Sequence, residues 1–126
     1  MAFHFQLQDG LLDMAISGKI TLQDLRQVMV TLTDVESRLP ITPDRILDIS
    51  KADFSTLPSA DLAATAEVRR VTKLKNPVKS AIIAAQPEQF GLARMFMGRN
   101  QNPDITLMIF KDAPSAYQWL GRPAPH

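Results

Sequence analysis

Residues 79–112, KSAIIAAQPEQFGLARMFMGRNQNPDITLMIFKD, read as strand, helix and strand, and that reading decides the fold. Ser80 to Ala85 is a short run of small and β-branched residues that is apolar on both faces, the pattern of a strand covered on two sides. Gln86-Pro87-Glu88 opens a helix. Proline at the first helical position loses no hydrogen bond, and Glu88 suits the positive end of the dipole. Phe90, Ala93 and Met97 recur at helical spacing, with Leu92 and Phe96 alongside. Gly98 is expected just past the helix end, and Asn100, Asn102 and Pro103 make a loop. Ile105 to Phe110 is a second two-faced apolar strand. Strand–helix–strand of this length is a right-handed parallel crossover.

Working outward, Asp9-Gly10 between Phe3–Gln8 and Leu11–Ser17 is a two-residue hairpin signal. A two-residue loop sets Leu7 opposite Leu12, Phe5 opposite Met14 and Phe3 opposite Ile16, so one face of the hairpin is apolar and buried. The other carries His4, Gln6, Gln8 and Asp13. Thr21 is the expected N-cap of a first helix, with Asp24 three residues on. Leu22, Leu25, Val28, Met29, Leu32, Val35 and Leu39 form its inward stripe, and Pro40 and Pro43 end it. Arg45–Ser50 is a short strand and Lys51–Pro58 a loop. A second helix opens at Pro58-Ser59 and runs to Asn76-Pro77, with Leu62, Ala66 and Leu74 inward and Arg69, Arg70 and Lys73 outward. Asp112 caps a last helix that turns Ala116, Trp119 and Leu120 inward and stops at Gly121. Residues 122–126, RPAPH, read as a loose tail. The order β-β-α-β-α-β-α-β-α predicts an α/β fold: a five-stranded mixed sheet made of an N-terminal hairpin and parallel βα units, with four helices.

A chain of 126 residues is expected to form one domain with a core that needs no staples. Fourteen basic and 13 acidic residues leave a net charge of +1, without the basic excess of a nucleic-acid binder. The absence of cysteine excludes disulfides, thiolate metal sites and a cysteine nucleophile. No secretory signal and no membrane span is expected, and the expected compartment is the cytoplasm.

The order of elements and several residues resemble the SpoIIAA-like group, the STAS-domain or CRAL-TRIO-like bacterial proteins. The matching stretches are Ile46-Leu47-Asp48-Ile49-Ser50, Phe90-Gly91-Leu92-Ala93-Arg94-Met95, Phe110-Lys111-Asp112, and Ala116 with Trp119-Leu120. The resemblance runs from about Phe5 to Gly121. It implies a single SpoIIAA-like, STAS-type domain over residues 1–121 and a bacterial cytoplasmic setting. It also implies one of two roles, a regulatory partner switch or a holder of lipid in an apolar pocket. STAS switches are controlled by phosphorylation of a serine in an Asp-Ser-Ser-Gly turn. The corresponding loop, residues 53–59, lacks that string, so no switch serine is assigned.

The sequence offers no catalytic, metal or cofactor constellation. Its two histidines, His4 and His126, are too few for a zinc site and too separate from any nucleophile for acid–base work. Asp48, inside a strand, could serve as an acid or base but is expected to be structural, capping a helix or pairing with a base such as Arg94. Parallel sheets bind at the carboxyl ends of their strands, which nominates Ser50, Asp53, Phe54, Ser55, Gln86 and Phe90, with Arg94 beside them. Met95-Phe96-Met97 cannot all face the sheet, because each helical step turns about 100°, so an exposed apolar patch is expected there. The expected function is a non-enzymatic regulatory or protein-interaction module. The alternative is a carrier or sensor of a small apolar or lipid-like ligand. A homodimer is expected, because helices following right-handed crossovers in one direction crowd onto one face and leave the other for a partner or a folded-over helix.

Overall fold

The computed structural model describes residues 1–124; the last two residues of the expected tail lie outside them. The strands are β1 (Ala2–Gln8), β2 (Leu11–Lys19), β3 (Asp44–Asp53), β4 (Val78–Ile83) and β5 (Ile105–Phe110). The helices are α1 (Leu22–Arg38), α2 (Ser59–Val71), α3 (Pro87–Arg99) and α4 (Ala113–Trp119). The five strands lie in the order β1-β2-β3-β4-β5; β1 is antiparallel to β2, and β2 to β5 are parallel.

The hairpin register is the expected one: Leu7 faces Leu12, Phe5 faces Met14 and Phe3 faces Ile16. Asp9 and Gly10 have φ of 52° and 75°. Positive φ at both central positions is the type I′ turn, whose twist suits a hairpin. Asp24 N–H donates to Thr21 Oγ1 and Thr21 N–H donates to Asp24 Oδ2, the reciprocal cap read from the sequence. Asp112 accepts from Ser115 N–H at the start of α4, and Gly121, at φ 72°, stops it.

Helices α1, α2 and α3 share one face of the sheet. Beneath them Ile16, Ile49, Ile82 and Ala84 of the sheet meet Leu25, Val28, Leu62 and Ala93. Leu12 and Met14 meet Leu32. The second face is covered by the chain itself. Ala116, Tyr117 and Leu120 of α4 pack on Leu11, Ile46, Ala81 and Ile83. That weakens one motive for a dimer, since β4, apolar on both faces, has a cover made from its own chain, while Met108 of β5 stays exposed.

Four local expectations change. β3 runs to Asp53 rather than Ser50, past an irregularity in its pairing with β2 between Ala15 and Ser17. α2 ends at Val71 rather than at Asn76-Pro77. Asn102 Nδ2 donates to Arg69 O at 2.7 Å and Thr72 O at 2.6 Å, occupying a carbonyl that another helical turn needs. α3 continues through Gly98 to a C-cap at Asn100, whose N–H donates to Phe96 O. The expected loose tail is tied down at its first residue: Arg122 donates to Asp9 O at 2.6 Å, joining the chain past α4 to the hairpin turn.

Candidate functional site

The carboxyl ends of β3 and β4 are joined by one side chain that the sequence reading missed. Gln89 is buried on the first turn of α3. Its Nε2 donates to Ser50 O and Ala52 O, and its Oε1 accepts from the N–H groups of Ala85 and Gln86. All the polar atoms of this amide are therefore committed to holding the edge together. The advance signal was its place at the third helical position, three residues after Gln86.

Around it the nominated residues divide. Ser50 N–H donates to Asp48 Oδ1 at 2.8 Å, so the Asp48 carboxylate serves the β3 irregularity. The expected Asp48–Arg94 pair does not form. Arg94 instead lies over the Phe90 ring, its guanidinium carbon 5.1 Å from the centroid. Asp53 accepts from Ser55 N–H at 2.9 Å. The hydrogen bonds from Ser55 hold the Asp53 carboxyl below its usual range. Gln86, Phe90 and Arg94 line a shallow, open depression with Lys111.

Phe54 and Phe96 go elsewhere. They line an apolar crevice between the sheet and α1–α3, of about 80 Å³, with Leu25, Met29, Leu62 and Leu92. Its one polar lining residue, Thr65, donates its hydroxyl hydrogen to Asp61 O. Met95 and Phe96 pack on the main core and Met97 is half-buried, so the expected exposed patch at 95–97 is absent. Met95 and Phe96 contribute to the packing of α3 instead of standing clear of it.

A second cavity of about 60 Å³ shares Val28, Met29, Leu47, Ile82 and Phe96 with the first and reaches Arg45, Arg69 and Asn100. There the core holds an ion trio. Glu36 Oε2 accepts from Arg45 Nη1 at 2.5 Å and Arg69 Nη2 at 2.6 Å, while Oε1 accepts from Arg69 Nη1 at 2.9 Å. Glu36 is 7% exposed and both arginines 3%. Arg69 was expected to point outward. Burial pushes the Glu36 carboxyl up, but the hydrogen bonds and charges of Arg69 and Arg45 outweigh it and hold the carboxyl below its usual range. A pattern was there to be read. Glu36 stands four residues after Leu32, Arg69 three after Ala66, and Arg45 two before Leu47, all on inward positions.

The exposed apolar surface sits on the hairpin. Phe5 is 48% and Leu7 44% exposed. The hairpin face expected to be buried is buried on β2 and open on most of β1: of the β1 side chains, Phe3 packs against the clusters to which α1 contributes Leu25, Val28 and Leu32, while Phe5 and Leu7 stay exposed. Phe3 and Phe5 stack, with centroids 5.7 Å apart. Among the described residues no group of three or more acidic or histidine side chains is placed to hold a metal, and no helix is long and apolar enough to cross a membrane.

No protein-family model and no curated protein matches the chain. Among solved structures it is similar to an uncharacterised DUF3478-family protein with a SpoIIAA-like fold from Shewanella loihica PV-4. The TM-score is 0.60 at 19% identity, over 94% of this chain and 92% of that one. The fold is SpoIIAA-like, as the sequence resemblance implied.

Proposed function

We propose that this chain, SpoIIAA-like in fold, is a protein-interaction module that carries out no reaction of its own and meets its partners along the β1 edge. The observation that carries this reading is the character of that edge. β1, AFHFQLQ, contains no charged residue and no proline, and two of its large apolar side chains are about half exposed. Natural sheets ordinarily blunt such an edge with lysine, proline, a bulge or a covering segment. An edge left open and apolar is suited to strand addition, in which main-chain hydrogen bonds give affinity and alternate side chains give selectivity. The test is to capture partners with the wild-type chain and with Phe5→Lys, then rebuild any complex from purified components. A partner lost in Phe5→Lys supports the reading. Robust turnover in hydrolase and transferase screens, abolished by Asp48→Asn or Asp53→Asn, overturns it.

The apolar crevice favours a second reading, the carrier or sensor of a small apolar ligand. Its volume decides the ranking. About 80 Å³ is well below the roughly 300–1,000 Å³ of ordinary ligand pockets, so a long-chain lipid enters only if α1–α3 part. Native mass spectrometry of the purified chain checks this. A bound lipid or fatty acid promotes the second reading, and a clean apo mass without thermal shift from fatty acids removes it.

A further inference from the structure

We infer that the β1 edge is built to pair with β1 of a second copy, antiparallel about a two-fold axis through Phe5; this rests on the interaction reading above. The turn sets which main-chain groups are free. In the type I′ turn over Gln8–Leu11, Gln8 C=O accepts from Leu11 N–H. In an antiparallel ladder hydrogen-bonded and non-bonded pairs then alternate. With Gln8 opposite Leu11, Gln6 opposite Asp13 and His4 opposite Ala15, the even-numbered residues direct their N–H and C=O groups at β2. Phe3, Phe5 and Leu7 direct theirs outward, at the open edge. The residues with free donors and acceptors are thus the ones whose side chains lie on the apolar face.

That arrangement matches itself. Setting Phe5 against Phe5 of the second copy places Phe3 against Leu7 on either side. Each of these is a pair of outward-directed residues, together about six main-chain hydrogen bonds. The same register puts Phe3, Phe5 and Leu7 of both copies on one face and sets His4 against Gln6 on the other. A shift by one residue opposes inward-directed groups to outward ones and mixes the faces. With no Asp, Glu, Lys or Arg on β1, the axis brings no such like charges together. The stacked Phe3–Phe5 pair meets its counterpart as an aromatic ridge already in place. A two-fold contact closes on itself, whereas pairing β1 with the opposite edge, β5, would be head-to-tail and open-ended. β5 is also flanked by α3 and α4, so β1 is the less sheltered edge.

Light scattering or sedimentation equilibrium of the full chain at tens of micromolar tests the inference. The expected mass is twice the 14.0 kDa of one chain, halved by Phe5→Lys with an unchanged far-UV spectrum. Leu7→Lys serves if Phe5→Lys fails to fold. Because the chain lacks cysteine, Phe5→Cys supplies a single thiol at the axis. Oxidation is expected to link it to a covalent dimer, while Val30→Cys on the exposed side of α1 gives none. A monomeric wild type, or a dimer that survives both lysine variants, overturns self-pairing. If the wild type is monomeric but Phe5→Lys still loses a different partner, the interaction module stands and only the homotypic contact falls. If Phe5→Lys changes neither, both fall.

Discussion

The two faces of the sheet are covered by different means, and the contrast explains where polar side chains are placed. Three helices lie over the first face, and under them even charged residues are fully enclosed. Glu36, Arg45 and Arg69 sit in the core with one carboxylate serving two guanidinium groups. The second face has only the seven residues of α4 and the chain that follows it. Its apolar cover spans Leu11, Ile46, Ala81 and Ile83. Beyond that the strands present His4, Gln6, Asp48 and Ser50, and Met108 is left exposed. Tyr117 marks the boundary, with its ring in the α4 cluster and its hydroxyl donating to Asp13 on β2 at 2.9 Å. A thick cover makes a buried charge expensive to disturb, while a thin one lets the site rehydrate or collapse.

The largest loss is expected at Glu36. Glu36→Gln leaves two arginines without their carboxylate under the thick cover, and a loss of about 3–5 kcal/mol is expected in urea denaturation. Arg69→Met, which keeps the Glu36–Arg45 pair, is expected to cost less. The carboxyl lies below its ordinary value of 4.5 in the folded chain, so the folded state binds this proton less readily than the unfolded one. Its contribution is complete above pH 4.5 and is lost as pH falls through the lower folded value. Glu36→Gln should lack this part of the acid sensitivity. A Glu36→Gln variant as stable as the wild type would mean that the trio is solvated.

A smaller loss is expected on the thin side. Leu120→Ala removes an anchor of α4 from a cluster with little above it, and about 2–3 kcal/mol is expected, at the low end for a core leucine because the site can collapse. The fluorescence of Trp119, the single tryptophan, packed against Phe110 with Lys79 Nζ 5.2 Å from its ring, reports whether α4 stays docked. An unchanged melting curve would show that α4 adds nothing to the fold.

The smallest effect sharpens the boundary. Tyr117→Phe leaves a half-buried Asp13 that water can reach, and about 1 kcal/mol is expected. Tyr117 is the single tyrosine. Burial, followed by the bond to Asp13, pushes its hydroxyl up to about 12 from the ordinary 10.0. The raised value means that this stabilisation is present below pH 10 and is lost as pH rises toward 12. Ultraviolet titration should show one transition near 12, moved down by Asp13→Asn but not fully to 10, since burial remains. A transition already at 10 in the wild type would place the ring in water.

The sequence by itself determined the elements and their order. The two-residue loop left one register for Phe3, Phe5 and Leu7. The apolar run before α3 meant a strand covered on both sides, while the run after it gave β5 with Met108 left exposed, and the caps at Thr21 and Asp112 lay where local side-chain chemistry demands them. These are short-range facts of period, turn and cap. The candidate site was less legible. The carboxyl edge of the sheet was nominated, but not that Gln89 holds it, that Arg94 turns to Phe90, or that Met95 and Phe96 are packed. Only the tertiary structure decided which helix crosses to the second face, where α2 stops, and that β1, not α3, is left open. Each depends on partners far away in the chain: Asn102 reaching Arg69, Arg69 reaching Glu36, Tyr117 reaching Asp13. A periodic pattern states which side of an element is apolar. How much of that side is covered depends on the width of the layer above it, and only the assembled layers define that width.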